Sequence, residues 1–340
     1  MGMNKTTRIV ACIIALVALL FIFSLLDLSW AGDGSLSIWQ VWDALTGNGT
    51  WGTDIIVNDQ NLPRIVFGMF VGAGLAVTGA VMQAIFRNPL ADPYILGLSS
   101  GASLGATLAI LFGVAAIPLS VSQPILAFVF CFLTIILVYT ISRAGGSVRT
   151  ETLVLAGVAV AALISAIVSF LTYIAPSEQM GSIVFWSMGS LNSITPEEML
   201  CACPLIVIGV IIMLTQSKNL NAMMLGDAHA MDLGVDVKSV RLLLLIMSSL
   251  VVAACVAFVG TIGFIGLVIP HIFRIILGPD NRAIIPISIL GGAAFIIMCD
   301  YIAHFVAPYY GVLPIGVVTS LIGAPFFIYL LVRRRRDVGW

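Results

Sequence analysis

The stretch RNPLADPYILGLSSGA, residues 87–102, separates two long apolar runs and decides how the chain is organised. Asn88-Pro89 and Asp92-Pro93 cannot continue a helix, because proline lacks an amide donor and restricts the residue before it. In a chain this apolar, such a break belongs where water or a partner satisfies the freed backbone groups. We therefore predict a turn at a membrane surface between two spanning helices.

Three glycines follow this turn at four-residue spacing: Gly97, Gly101 and Gly105. This spacing places them on one helix face, where small residues allow another helix to approach closely. The alternative is that transmembrane helices simply contain more glycine than soluble ones. We favour packing for the ladder. With Arg87, Asn88, Pro89, Asp92 and Pro93 it forms a predicted structural turn, a scaffold and not a substrate site.

Composition settles the protein class. Hydrophobic residues make up 60% of the 340 positions and charged residues 9%, and the mean hydropathy is +1.14. A soluble domain carries about 25% charged residues, so this chain cannot cover a water-facing surface. We predict an all-α polytopic membrane protein. Its six cysteines show no metal-ligand pairing and are interpreted as small core residues.

The apolar runs predict about ten spans, each of roughly 20 residues or fewer, as the hydrocarbon thickness requires. The eighth is short and begins with Gly260 and Gly263, which favours a partial or broken span. The predicted spans are 9–28, 62–84, 93–113, 122–141, 152–174, 197–215, 241–260, 263–277, 284–305 and 314–332.

The basic residues predict the orientation. With the N-terminus inside, 14 of the 15 lysines and arginines fall in inner segments, and only Arg64 lies outside. This agrees with the positive-inside rule and predicts cytoplasmic termini in the inner (cytoplasmic) cell membrane. We expect one transmembrane domain, 1–340, with an extracytoplasmic loop at 29–60 and a cytoplasmic loop at 216–240.

Two segments outside the spans carry a pattern. In the outer loop, Ile38, Trp39, Trp42 and Leu45 predict a short amphipathic helix with interfacial tryptophans. The inner segment 216–238 contains two Leu-Gly pairs that are typical of the ends of very short helices. We interpret the inner segment as a docking surface for another protein; the alternative is an ordinary interhelical loop.

Ionisable groups at membrane depth are candidate functional sites. Asp300 and His304 lie one helical turn apart, and His271 belongs to the eighth span with Arg274. These residue types could hold zinc, but the chain has no His-Glu-x-x-His pair and no nearby second carboxylate. We expect no catalytic, metal or cofactor site, and we expect Arg274 to extend toward the inner surface.

The energy source follows from a missing motif. The sequence contains no Gly-x-x-x-x-Gly-Lys-Ser/Thr phosphate loop, so transport requires an ion gradient or a separate ATPase. A gradient-driven carrier needs buried carboxylates or broken spans at the midplane, and only Asp300 is a candidate. A secondary transporter and, more remotely, an intramembrane metalloenzyme are the alternatives.

Nine elements in register carry a family resemblance across 62–334. They are Leu62-Pro63-Arg64, Gly79–Gln83, the block at 87–102, Leu155-Ala156-Gly157, Trp186–Leu191, Leu225-Gly226-Asp227 with Leu233-Gly234-Val235, the stretch at 263–274, Asp300, and 313–327. In these elements the chain resembles the FecCD-type permease subunits of type II ABC importers for iron–siderophores, haem and vitamin B12.

The resemblance implies partners and roles. The coupling segment, which enters a cleft on the ATPase, corresponds to Leu225, Gly226, Asp227, Leu233, Gly234 and Val235. Two permease copies and two ATPases, the latter holding ATP and Mg²⁺, form the core, and an extracytoplasmic binding protein delivers the substrate; nucleic acid is not a partner. The chain itself is then no enzyme. The pathway lies at the dimer interface, lined by small and apolar groups, with an inner gate at Thr150, Glu151 and Thr152.

Departures from the family pattern concern the outer face. Asn61 and His304 stand where family members often carry arginines that pair with the binding protein, and Arg64 remains. We expect these three residues to form an exposed docking set, with Arg64 as the main anchor. Thr261 replaces a usual proline, a change that we expect to ease entry into the eighth span.

Overall fold

The computed structural model describes residues 4–30, 36–114, 117–143, 150–192 and 194–337. These residues are almost entirely helical and include one isolated β-bridge, Val114 to Ile117. The α-helices of the described part are α1 (Lys5–Leu28), α2 (Ile38–Leu45), α3 (Trp51–Asp54), α4 (Leu62–Ile85), α5 (Leu98–Phe112), α6 (Leu119–Arg143), α7 (Thr150–Ile174), α8 (Ser177–Ser187), α9 (Pro196–Thr215), α10 (Ser217–Met224), α11 (Asp227–Asp232), α12 (Val237–Val259), α13 (Ile265–Leu277), α14 (Asn281–Phe305), α15 (Ala307–Tyr310) and α16 (Ile315–Asp337).

The ten predicted spans correspond to ten apolar helices. In the described part of the chain, seven are long enough to cross a membrane, and α5, α13 and the apolar part of α16 are shorter. The third span was predicted to begin at residue 93, which is wrong. Pro93–Leu96 forms a 3₁₀ turn capped by the Asp92 side chain, and Gly97, in a left-handed conformation, starts α5.

Helix α4 forms the centre of the bundle, and most of its residues are buried. Two of its glycines permit very close contacts. A Cβ at Gly72 would overlap the backbone carbonyl of Gly292 in α14, and a Cβ at Gly79 would overlap that of Gly266 in α13. The small residues therefore fix the distance between α4 and its neighbours.

The glycine ladder packs α5 against α6, as predicted. A side chain at Gly101 would collide with Thr134 and the Phe130 carbonyl, and one at Gly105 with the Leu126 carbonyl. Gly97 precedes the helix and has a φ of +77°, which favours glycine for conformational reasons.

The outer loop folds into α2, α3 and a π-helical segment, Ile55–Asn61, that continues into α4. Val41, Ala44 and Val57 form its small buried cluster, whereas Trp39 and Trp42 are exposed. The predicted amphipathic helix is thus confirmed.

The turn between α12 and α13 joins α8, a helix that the sequence did not predict, to the start of α16. The Ser190 amide donates to the Val259 carbonyl, and the Gly316 amide donates to Met188. The Thr261 hydroxyl donates to the Ser187 carbonyl. Thr261 therefore bonds the turn to α8, which proline could not do because it has no hydroxyl. The structure shows this bond and gives no sign of an easier entry into α13.

Candidate functional site

A cavity of about 750 Å³ lies between α5, α7, the end of α8 and α16. No charged side chain of the described residues lines it. Tyr94 also borders the cavity and donates its hydroxyl to the Ile262 carbonyl at 3.0 Å. Its other polar lining consists of aliphatic hydroxyls from Ser99, Ser100, Ser103, Ser165, Ser169, Ser187, Thr261 and Ser320.

Helical spacing brings these hydroxyls together. Ser99 and Ser103 are four residues apart on α5, and Ser165 and Ser169 are four apart on α7, so each pair shares a helix face. The Ser100 and Ser165 hydroxyl oxygens are 3.3 Å apart, which joins the two rows. The sequence analysis expected a lining of small and apolar groups. The lining groups are small, but many of them are hydroxyls. The four-residue spacing of the serines could have predicted this and was not used.

At the other end of α12, Asp227 joins two arginines from separate parts of the chain. The Arg241 Nη2 donates to its carboxylate oxygens at 2.9 and 2.8 Å. The Arg87 Nη2 donates to Asp227 Oδ1 at 3.1 Å. Arg87 has a φ of +49°, a left-handed conformation that usually favours glycine. The turn at 87–92 and the segment that begins at Leu225 are therefore held together; we call Arg87, Asp227 and Arg241 the inner cluster.

The coupling segment has the predicted form. Helices α10 and α11 end just before Leu225 and Leu233, and Gly226 and Gly234 follow with positive φ. Leu225 is 69% exposed and Leu233 is 67% exposed. Two apolar side chains are therefore exposed on a polar segment. Val235 contributes backbone order, because its amide donates to the Ala230 carbonyl.

The turn at 87–92 is closed by its own side chains. Asn88 accepts from the Leu90 amide at 3.0 Å, and Asp92 accepts from the Tyr94 amide at 2.8 Å. Burial raises the pKa of Asp92 to about 6, and the Tyr94 amide only partly opposes this effect. Asp92 is thus a half-buried acid with no arginine among its described partners.

Helix α10 is anchored to the core through Arg274, which was predicted to extend toward the inner surface. Instead, its guanidinium donates to the Ala80 carbonyl at 2.9 Å and to Gln83 Oε1 at 3.2 Å. It also donates to Asn281 Oδ1 at 3.0 Å and contacts the Met224 sulfur. The side chain is partly exposed near the end of α13 but does not extend freely, because backbone and amide acceptors of α4, α14 and the turn between α13 and α14 hold it.

On the outer side, Arg64 lies between two carboxylates. Its Nε donates to Asp300 Oδ2 and its Nη2 to Asp27 Oδ1, both at 2.9 Å. The His304 Nδ1 lies 2.8 Å from the Asp300 carbonyl and 3.7 Å from a carboxylate oxygen of each aspartate. These four residues, the outer cluster, join α1, α4 and α14.

The three residues predicted to dock the binding protein were expected to be exposed, and this expectation of exposure is wrong. Asn61, Arg64 and His304 are 3%, 7% and 3% exposed. Asn61 donates to the carbonyls of Leu28 and Trp30 at 3.1 and 2.8 Å. Asp27, near the end of the first predicted span, is a buried residue of α1 that neutralises Arg64.

Of the three residues considered as zinc ligands, Asp300 and His304 lie together, and His271 does not join them. Within the described residues, Asp27, Asp300 and His304 have ligand atoms close enough to share a metal ion, and His271 on α13 is not part of that group. Arg64 already places a positive charge between the two carboxylates. The acids therefore have a counter-charge without a metal ion.

The predicted gate residues occupy the first turn of α7. Thr150 is half-buried, and Glu151 and Thr152 are exposed. Ser165, on the same helix, lies about 20 Å further along its axis. The gate position and the hydroxyl cavity are thus at different depths of one helix.

The model of the FecCD transport family matches residues 15–333, almost the full length. The chain belongs to the FecCD transport family. As expected of a FecCD member with ten apolar helices, it is a multi-pass membrane protein.

Three curated relatives illustrate the range of cargo within this family. The cobalamin import system permease protein BtuC of Halobacterium salinarum is 42% identical over 84% of this chain and 74% of its own. The hemin transport system permease protein HmuU of Yersinia pestis is 40% identical over 94% and 95%. The molybdate import system permease protein MolB of Haemophilus influenzae is 37% identical over 83% and 82%.

A solved structure supports the fold. A metal-chelate type ABC transporter in an inward-facing conformation matches with a TM-score of 0.82 and 34% identity, over 94% of this chain and 98% of the other. The FecCD chain described here therefore has the type II ABC importer permease fold.

Proposed function

We propose that this chain is the transmembrane subunit of an ATP-driven importer that carries an intact metal chelate or corrinoid. The hydroxyl-lined cavity is the observation that carries this proposal. Its described lining has no carboxylate, imidazole or thiol, the groups that bind transition-metal ions most strongly. A bare metal ion would find no strong ligand there, whereas a chelate brings its own ligands.

The cavity also favours a large cargo over a small oxyanion. A single copy of the chain lines a cavity of about 750 Å³. This volume is within the size range of sites for drug-sized molecules. A molybdate-like anion would need concentrated positive charge, and the described lining contains none. Serine hydroxyls both donate and accept hydrogen bonds, which suits the oxygen-rich periphery of a siderophore, haem or corrinoid.

A second copy would close the cavity. Side chains along α7 are large, apolar and exposed, with Leu155 at 69%, Phe170 at 61% and Tyr173 at 86%. Leu321 of α16, on the cavity rim, is 67% exposed. An apolar surface of this extent suits a homodimer interface within the membrane, with the pathway between the two copies. Alternating access would then open this interface on each side in turn.

The energy would come from a partner ATPase. The exposed Leu225 and Leu233 would enter its cleft, while Asp227 would transmit movement to Arg87 and Arg241. ATP and Mg²⁺ would bind to that ATPase alone. With cytoplasmic termini, the coupling segment and the gate residues Thr150, Glu151 and Thr152 would face the same side.

Docking of a binding protein is proposed at an outer pocket of about 510 Å³. Arg64 and His304 lie at its base, while Asp59 and Asn192 contribute to its lining. In this arrangement Arg64 is buried and paired with two aspartates, so it would hold the pocket in shape and would not contact the binding protein as a surface charge. Arg64→Glu would disturb folding as well as docking, so Asp59→Lys is the better test of docking.

The test is uptake by proteoliposomes that contain the chain, its co-purifying ATPase and a binding protein. We expect ATP-dependent uptake of one member of a panel of ferric siderophore, haem and cobalamin, insensitive to ionophores. Uptake driven by an ion gradient without the ATPase would contradict the proposal, and so would transport of molybdate alone.

A matched pair of variants tests the cavity. Ser165→Phe fills it and should reduce uptake at least tenfold, whereas Ser165→Ala removes one hydroxyl without filling space and should reduce uptake by less than about fivefold, the effect of one neutral hydrogen bond. Equal uptake by the Phe variant and the native chain would place the pathway elsewhere.

A further inference from the structure

Two cavities flank the side chain of Lys5, where the start of α1 crosses the turn between α13 and α14. One, of about 370 Å³, lies between α1 and α14 and includes Arg282. The other, of about 430 Å³, lies between α1 and the end of α13 and includes Arg8. Both are at the end of the first membrane span.

The charge in this region is mainly positive. The Lys5 ammonium pairs with Asp280 at 3.1 Å and is still about half exposed. Arg8 and Arg282 are exposed, and neither side chain forms an ion pair with a described residue. Arg282 in the first cavity and Arg8 in the second therefore lie on either side of the Lys5–Asp280 pair, and both can bind an anion.

The walls below the basic groups are apolar. Ile9 and Ile13 of α1 face Ile287 and Leu290 of α14 across the first cavity. This groove runs into the outer surface of α1, whose large side chains are exposed along the span. A soluble anion would use only the charged end, whereas an amphipathic molecule would use both parts.

We propose that this groove is a binding site for one anionic phospholipid. Its phosphate lies among Lys5, Arg8 and Arg282, and an acyl chain follows the apolar groove. Basic pockets between transmembrane helices at the membrane surface are suited to such headgroups. The proposal depends on the membrane location of the chain and is independent of its cargo.

The site is bonded to the coupling segment. Asp280, the partner of Lys5, also accepts from Asn221 Nδ2 of α10 at 2.8 Å. Asn221 Oδ1 in turn accepts from the Asn281 amide at the start of α14. A lipid phosphate that draws Lys5 away from Asp280 therefore acts on the residue that positions α10.

The test is native mass spectrometry of the full chain in mild detergent, titrated with phosphatidylglycerol or phosphatidylcholine. We expect retained phosphatidylglycerol and little phosphatidylcholine. Each surface basic group contributes a factor of about five in affinity, so Lys5→Gln with Arg8→Gln should weaken phosphatidylglycerol binding about 25-fold. Arg282→Gln, on a separate helix, should weaken it about fivefold.

Arg143→Gln is the matched control, because it removes an exposed basic group that lines neither cavity. It should bind phosphatidylglycerol like the native chain. Equal retention of both lipids, or full retention by the double variant, would overturn the proposal. Displacement of the lipid by an equal concentration of glycerol phosphate would also overturn it, since the site would then recognise a soluble phosphate.

Discussion

The outer and inner clusters are built from the same residue types in opposite proportions. In the outer cluster one arginine, Arg64, lies between two aspartates, and all three side chains are at most 8% exposed. In the inner cluster one aspartate, Asp227, lies between two arginines, and its side chain and that of Arg87 are 38% and 42% exposed. Both clusters consist of arginine–aspartate ion pairs, but the outer cluster is buried and the Arg87–Asp227 pair of the inner cluster is exposed to solvent.

This difference separates a structural role from a transmitting role. Breaking a buried pair leaves an uncompensated charge, which is strongly unfavourable. The Arg87–Asp227 pair is exposed, and such pairs contribute about 0–1 kcal/mol, so it can break and re-form during a transport cycle, whereas the Arg241 side chain is only 10% exposed. We infer that the outer cluster fixes α1, α4 and α14 as a unit, while the inner cluster connects the coupling segment to the turn at 87–92.

The largest expected effect is in the outer cluster. Arg64→Ala leaves Asp27 and Asp300 facing each other in a buried site, and we expect it to lower the free energy of unfolding by about 3–5 kcal/mol. Unfolding of the purified chain in detergent by added denaturing surfactant measures this. Arg64→Lys is the control and should retain part of the stability. A loss below 1 kcal/mol in the free energy of unfolding for Arg64→Ala would contradict this prediction, because the outer cluster would then stabilise the fold no more than an exposed ion pair does.

The second effect concerns Asp92, the half-buried acid at the end of the turn at 87–92. Its pKa is raised from 3.8 to about 6, so the folded state favours the protonated form. This stability is fully present below pH 3.8 and is lost as the pH rises through about 6. The native chain should lose at most about 3 kcal/mol across this range, and Asp92→Asn, which retains the cap oxygen, should not.

The control for this pH dependence is Asp236, an exposed aspartate whose pKa is lowered by the Ser239 side chain and amide. Its contribution has the opposite sign, because that stability is present above pH 3.8 and is lost as the pH falls. Asp236→Asn should therefore leave the decline between pH 4 and 6 unchanged. A pH profile of Asp92→Asn that matches the native one would contradict the assignment.

The smallest expected effect is at Arg87. Arg87→Gly removes the pair with Asp227 but also removes the cost of a left-handed non-glycine residue, about 1 kcal/mol. The two changes should cancel to within about 1 kcal/mol in the free energy of unfolding. Arg87→Ala keeps the backbone cost and should be the less stable of the two. A more stable Ala variant would show that the backbone conformation is not under strain.

The sequence predicted the repeating parts of the fold well. Apolar length predicted the ten spans, and the Leu-Gly pairs predicted the ends of α10 and α11, because each signal is local. Burial of Arg64 was not predictable in this way. Its partners Asp27 and Asp300 are 37 and 236 residues away, and nothing local distinguishes a buried arginine at a helix start from an exposed one.

The hydroxyl cavity shows the same limit. The four-residue serine spacing on α5 and α7 is present in the sequence, but the meeting of the two rows at Ser100 and Ser165 depends on a contact across 65 residues. Thr261 was visible as a departure from the family, while its partner on α8 required the structure.

The central claim is that the inner cluster transmits movement between the coupling segment and the turn at 87–92, and does not merely stabilise the fold. The most direct test is the dissociation constant between the co-purifying ATPase and the purified chain, compared for the native protein and Asp227→Ala. We predict that the variant remains folded, with its unfolding free energy lowered by no more than about 3 kcal/mol because Arg241, whose side chain is 10% exposed, loses its carboxylate partner, and that it binds the ATPase at least tenfold more weakly. An unchanged dissociation constant in a folded variant would contradict the claim.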